Sequence, residues 1–388
     1  MSSWRLDPAV THLNHGSFGA CPTAVLEEQS RWQMLMEINP VRFFTETLQP
    51  ALDHSRLSLA EFLRTDPLGL VFVPNATAGV NAVLRSLEPS LGPGDEILIT
   101  DHTYNACRNV AAVTALRSGA QLVEVPVPFP LDTPQRFSEA VLARISARTR
   151  VVMVDWVTSP TAVVVPIADI VGALEPQIPV LVDAAHAPGM VPMDLGALGA
   201  SYVVGNCHKW LCAPKSAGFL SVRDDRQADL IPATVSHGWN TEPLGGVPQL
   251  HNLFDWTGTD DPSARLTVPI ALATMAGLRR DGWNGVMASN RSLVLRGREI
   301  ICAALGIDEP IDSGAIGSMA TVPLPGEIEG DRPGDLEPLT QRLRDDRGIE
   351  VPVFAWRDWP SRLLRLSAQL YNTETDYQRL AEALASEI

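Results

Sequence analysis

The stretch "PVLVDAAHAPGMVPMDLGALGASYVVGNCHKW", residues 179–210, decides how this chain folds. It holds two strand-like runs, "PVLVDAAH" (179–186) and "SYVVG" (201–205). Both are apolar rather than alternating, as strands covered on both faces should be. The first run places Asp183 at its end, and the second leads into "NCHKW", with Lys209 26 residues after Asp183. Ligands of open α/β sheets bind beyond the carboxyl ends of the strands. One β–α step therefore separates two charged groups that can face one pocket. A buried carboxylate without a cationic partner costs several kcal/mol. Lys209, flanked by His208 and Trp210, must either snorkel to water or be held for a purpose.

The same grammar extends outward. Further strands are expected at "LVFVP" (70–74), "EILIT" (96–100), "QLVEVPV" (121–127), "VVMVDWV" (151–157) and "AGFLSV" (217–222). Helical patterns fall near 75–87, 105–118, 135–147 and 168–175. This predicts a mostly parallel seven-stranded sheet covered by helices. Residues 224–265 are rich in loop signals. From 266 the pattern is α+β: helices near 266–280, 284–304 and 336–347, strands at "SMATVPL", "EVPVF" and "LLRLS", and a helix from about 374. The expected division is an N-terminal segment (1–45), a large domain (46–265) and a smaller C-terminal domain (266–388).

The 388 residues carry 30 Lys+Arg against 45 Asp+Glu, a net charge of −15. Such a field repels nucleic acid and anionic membrane, so neither partner is expected, and a phosphate must be held by local donors. Five scattered cysteines argue for a reducing compartment, the cytoplasm, over a disulfide framework. No signal peptide and no membrane span are read in the sequence.

Polar residues at the other strand ends complete a constellation. "NATAGVN" opens a helix after strand 70–74, with Thr77 and Ala78 in its first turn, a place suited to phosphate as well as to an ordinary cap. "DHTYNA" offers His102 and Tyr104 for stacking or proton transfer, and "TSPT" offers the Ser159 hydroxyl. His186 follows Asp183. No G-x-G-x-x-G follows a strand, and P-loop, H-E-x-x-H and G-x-S-x-G patterns are absent. Cys207, His208 and Cys212 lack a second ligand pair at zinc spacing, so no metal is expected. A carboxylate, a lysine, a helix N-terminus and a ring to stack on are the parts that pyridoxal phosphate needs. The lysine amine forms the Schiff base, and the carboxylate keeps the pyridine nitrogen protonated.

The chain resembles the class V aminotransferases of fold type I, and within them the isopenicillin N epimerase-like group, which includes C–S lyases. "LNHGSFGACP", "NATAGVN", "DHTYNACRN", "VDAAHAPG", "GNCHKWLCAPK", "FDWTGTDDP" and "LLRLSAQLYNT" carry the likeness along nearly the whole chain. The resemblance implies Lys209 as the Schiff-base lysine, Asp183 at the pyridine nitrogen and His186 near the ring hydroxyl. It implies Thr77, Ala78, Asn206 and His208 at the phosphate. Thr259 would reach the phosphate of the other subunit in a homodimer with shared sites. His102 would stack on the ring, with Tyr104 beside it. Arg365 would grip the substrate α-carboxylate, and Asn14 and His15 would close over the substrate. Where the family pattern reads "DHVTSPTG", this chain has Trp156 for His and Ala162 for Gly, both expected beside the ring hydroxyl. Trp156 would then limit access of protons to one face. A cysteine desulfurase is not expected, because the last cysteine, Cys302, lies 63 residues before Arg365.

The expected substrate is an amino acid with free α-amine and α-carboxylate. Three reactions share the same start: β-elimination of a cysteine S-conjugate in a thiol or secondary-metabolite pathway, epimerisation, and decarboxylation with oxidative deamination to an aldehyde. C–S cleavage is preferred. A ligand-sensing domain would lack the lysine or carry a DNA-binding extension, and neither holds here.

Overall fold

The computed structural model describes residues 3–243, 246–326, 337–356 and 361–388. Seven strands form the central sheet: β1 (Leu70–Val73), β2 (Glu96–Thr100), β3 (Gln121–Val125), β4 (Thr149–Asp155), β5 (Val180–Ala184), β6 (Tyr202–Asn206) and β7 (Gly218–Val222). Their order is β1-β7-β6-β5-β4-β2-β3, and only β7 runs antiparallel to its neighbours. The expected mostly parallel sheet is therefore present.

Strand parity sorts the side chains into two cores. Ile97, Ile99, Val151, Met153 and Leu181 pack on one face, under helices Ala76–Leu87 and Asn105–Ser118. Leu98, Val152, Val154 and Val182 pack on the other, with Phe137 and Val141 of helix Gln135–Ala143 and Ile170 and Val171 of helix Ile167–Leu174. Burial on both faces is why these runs read as apolar throughout.

A second, three-stranded antiparallel sheet is built from β8 (Met319–Leu324), β9 (Val353–Ala355) and β10 (Arg362–Ser367), with β10 in the middle. Helices Gly282–Leu305 and Glu374–Glu387 pack together beside it. The N-terminal segment is tied to this unit through a short parallel ladder, Thr11 and His12 opposite Ile349 and Glu350. It then crosses to the large sheet. Gly19, at φ 69°, lies so close to the lysine turn that a Cβ would meet the carbonyl oxygen of His208 at 2.0 Å. Only glycine suits that left-handed, backbone-to-backbone contact.

Candidate active site

At the carboxyl ends of β1, β4, β5 and β6 lies a cavity of about 350 Å³. Asp155 ends β4, and Asp183, its register partner on β5, stands on the same face of the sheet. Parity places both carboxylates with Val151, Met153 and Leu181, on the side of helix Asn105–Ser118. Ala185 N–H donates to Asp183 Oδ1 at 2.9 Å, and the Cys107 thiol donates to Oδ2 at 3.2 Å. Burial and the two nearby carboxylates push the Cys107 thiol well up, so it stays protonated and able to donate. Burial raises Asp183, while burial and the adjacent Asp183 push Asp155 well above the usual carboxylate range. Asp155 Oδ1 is buried without a hydrogen-bond partner.

Lys209 lies in the turn after β6 and is half-buried. Its Nζ lies 2.9 Å from His186 Nε2. Trp210 Nε1–H donates to the other ring nitrogen of His186 at 3.4 Å. Burial, and secondarily the Arg365 guanidinium, lower the Lys209 amine to about 8. Burial and the cation of Lys209 hold His186 well below its usual value, and therefore neutral.

At the opposite end, Asn75, Ala76, Thr77, Asn206 and His208 line the cavity. Asn75 caps helix Ala76–Leu87 by accepting from Ala78 N–H at 2.9 Å, and Asn206 Oδ1 accepts from Ala76 N–H at 2.9 Å. Both bonds orient the first turn of the helix towards the cavity. Gly218 of β7 passes against this cap, where a Cβ would lie 2.7 Å from Asn75 Cα. Burial and the neighbouring ammonium of Lys209 lower His208 to about 4.

Arg365, on β10, is 2% exposed. It donates to Ser159 O at 2.9 Å, Ser159 Oγ at 3.1 Å, Ser17 Oγ at 2.9 Å and Asn14 Oδ1 at 3.3 Å. All four acceptors are neutral oxygens, and burial lowers the guanidinium to about 10. A buried cation held only by neutral dipoles retains its charge for an anion.

The structure thus gathers Lys209, Asp183, His186, Thr77, Asn206, His208, Ser159 and Tyr104 around one cavity, and sets Arg365 and Asn14 behind Ser17 and Ser159. Ala78 does not line it, its N–H being taken by Asn75. Thr259 is exposed and lies outside it.

Four expectations need correction. His102 is buried away from the cavity. Its ring nitrogens lie 2.7 Å from Thr161 Oγ1 and 3.0 Å from Val127 O, and Phe129, Phe137 and Trp356 surround it edge-on. Thr161 in turn lies 2.7 Å from Thr158 Oγ1. His102 therefore braces the loop that presents Ser159 to Arg365, and of the two residues Tyr104 is the one at the cavity. His15 does not close over it either. It is buried beneath the lysine turn, with Nε2 3.0 Å from Lys209 O and Nδ1 3.1 Å from Tyr371 Oη, and burial lowers it to about 3. Trp156 follows the parity of Val152 and Val154 into the opposite core, so its indole does not face the cavity. Ala162 also lies outside it, in a buried turn at φ 57°, the left-handed region that favours glycine.

Asp155, Ser17, Phe18 and Lys215 line the site and were not singled out from the sequence. Asp155 was findable, since "VMVD" and "VLVD" end adjacent strands in the same way.

The family "Aminotransferase class-V" matches residues 20–243. The chain is 36% identical to the isopenicillin N epimerase of Amycolatopsis lactamdurans, over 98% of this chain and 95% of that one. It is 30% identical to a putative L-cysteine desulfhydrase of Oryza sativa subsp. japonica, over 97% of this chain and 83% of the relative. Among solved structures it is similar to C-DES, a cystine C–S lyase in complex with cysteine persulfide, with TM-score 0.77, 22% identity and 97% of each chain covered. The donor set suits the cofactor of that family. A half-buried amine and two carboxylates, one with an unpartnered oxygen, line one cavity with polar groups at a helix start. The chain belongs to the class-V aminotransferases, with isopenicillin N epimerases and L-cysteine desulfhydrases among its relatives, and its cofactor is pyridoxal 5′-phosphate.

Proposed function

We propose that this protein cleaves the C–S bond of a cysteine S-conjugate, converting it with water into a thiol, pyruvate and ammonia. The observation that carries this reading is the pairing of Lys209 with His186, whose Nε2 lies 2.9 Å from the lysine Nζ. Lys209 is lowered to about 8, and His186 is held neutral by burial and by the lysine charge. Inversion at Cα needs an acid and a base on opposite faces, whereas loss of a β-substituent needs one base at Cα, and this pair supplies one.

Bound pyridoxal phosphate supplies an electron sink for the bonds at Cα. The chain supplies the rest. Lys209 is the covalent anchor and the base at Cα. Asp183, with Asp155 beside it, would hold the pyridine nitrogen, and His186 and Ser159 would meet the ring hydroxyl. Thr77, Asn206 and His208, with the start of helix Ala76–Leu87, would hold the phosphate. Arg365 receives the α-carboxylate, with Asn14 and Ser17 setting its fork. Tyr104 covers the ring.

The functional unit is a homodimer in which Thr259, remote from its own cavity, reaches the phosphate of the partner. The cytoplasm fits five free, buried cysteines. Among the described residues no helix is long and apolar enough to cross a membrane.

Epimerisation is the second reading, favoured by the 36% identity to an isopenicillin N epimerase. The test is incubation of the loaded enzyme with S-substituted cysteines in deuterated water. Thiol and pyruvate support cleavage. Mainly inverted, deuterated amino acid supports epimerisation, and aldehyde with carbon dioxide points to decarboxylation.

A further inference from the structure

The chain contains two lysines among its 30 basic residues, Lys209 and Lys215, and both line the same cavity. Every other strong cation in the molecule is an arginine. Lys215 sits six residues beyond Lys209, exposed at the cavity mouth. Its Nζ donates to Gly19 O at 3.0 Å, and among the described residues no carboxylate pairs with it. Phe18 lines the same mouth and is 73% exposed, so its ring is open to a molecule that enters there. One short segment thus touches three features: Ser17 holds Arg365, Phe18 lies open, and Gly19 holds Lys215.

We propose that Lys215 and Phe18 form a subsite for the distal end of the substrate, with Lys215 binding a second carboxylate and Phe18 covering the chain that leads to it. The proposal rests on the amino-acid reading above and names its substrate class: a cysteine S-conjugate whose S-substituent ends in a carboxylate. The whole-chain charge of −15 disfavours a dianionic substrate in bulk. Each of its carboxylates therefore needs a local cation: Arg365, behind Ser17 and Ser159, for one, and Lys215, at the cavity mouth, for the other. A compact ammonium on a flexible stem suits a distal anion of variable reach better than a planar fork does. The carbonyl of Gly19 makes a neutral bond to Lys215, so an arriving carboxylate replaces it with a charge-assisted one.

The same ammonium chemistry would also suit the cofactor phosphate, and the experiment separates the two. Loaded enzyme is titrated with S-carboxymethylcysteine and S-(2-carboxyethyl)cysteine and with their neutral amide isosteres, and dissociation constants are read from the cofactor absorption. The acids should bind about tenfold tighter than the amides at low ionic strength, with the ratio shrinking as salt is added. Lys215→Met should bring the ratio to about 1, and Lys215→Arg should keep most of it. Equal binding of acid and amide by the parent, no binding of either, or an unchanged ratio in Lys215→Met overturns the proposal. Uptake of pyridoxal phosphate by cofactor-free Lys215→Met is measured in parallel. Lost cofactor affinity with the ratio intact assigns Lys215 to the phosphate and likewise overturns it. Thiol release is scored separately: ligands that bind with the expected ratio but are not cleaved support the subsite while removing the C–S reading.

Discussion

Lys209 Nζ lies 2.9 Å from His186 Nε2, and the indole of Trp210 donates to Nδ1 of the same ring at 3.4 Å. A neutral imidazole carries one N–H. With Nδ1 accepting, that proton is on Nε2, an arrangement that suits the neutral-amine form of the lysine. Burial lowers the lysine to about 8, so this form prevails above that pH.

Cofactor capture requires the neutral amine. The rate at which cofactor-free protein takes up pyridoxal phosphate should therefore rise through about pH 8 and level off above it. Stopped-flow absorbance checks this. A rate that is flat from pH 7 to 9 would remove the amine from the rate-limiting step.

The same shift has a stability consequence. The folded value of Lys209 lies below the usual 10.5, so the unfolded chain binds more protons between about 8 and 10.5. Stability of the cofactor-free protein should rise with pH in that window. Lys209→Met should be more stable than the parent by about 3 kcal/mol at pH 7, and the gap should close towards pH 10.5. Thermal melts at several pH values read it.

Asp155 is raised in the folded state, so its contribution has the opposite sign. The folded protein binds the extra proton, and stability is lost as pH rises above the usual carboxylate range. In cofactor-free protein, Asp155→Asn should stabilise by about 1–3 kcal/mol at neutral pH, the scale of a buried unsatisfied oxygen beside a like charge. A destabilised variant at neutral pH would show that the carboxylate has a partner.

Arg365→Lys should weaken the amino-acid substrate by about 2 kcal/mol or more, because one ammonium cannot reproduce a fork held by Ser159, Ser17 and Asn14. Titration of the loaded enzyme with substrate or a product analogue reads this directly. Unchanged affinity would take Arg365 out of the carboxylate site.

Trp156→His should cost about 2–4 kcal/mol of stability, since it shrinks a core side chain and buries an imidazole. It should leave the product ratio in deuterated water unchanged, because the side chain faces away from the cavity. A shift towards exchange at Cα would contradict that orientation.

The central sheet was legible because each strand is buried on both faces, so its sequence is a short apolar run with a polar end, as in "EILIT" and "PVLVD". Lys209, Asp183, His186 and Arg365 were legible from such ends and from the family resemblance. Direction was less legible. Trp156 and Asp155 are neighbours on one strand, and only parity decides which faces the cavity. His102 and Tyr104 leave the same strand end, and the contacts of His102 with Thr161 and Val127 turn it inward. The helices Thr23–Ile38 and Leu48–Leu63 were not read at all. In the first only Val25 is buried, so it shows little of the periodic apolar stripe that marks a helix.

The most direct measurement uses the scarcity of lysine. Loaded enzyme is reduced with borohydride, cleaved after lysine and arginine, and mapped by mass spectrometry. The account predicts the phosphopyridoxyl mass on Lys209 alone, with Lys215 unmodified. The mass on Lys215, or on neither lysine, would contradict it.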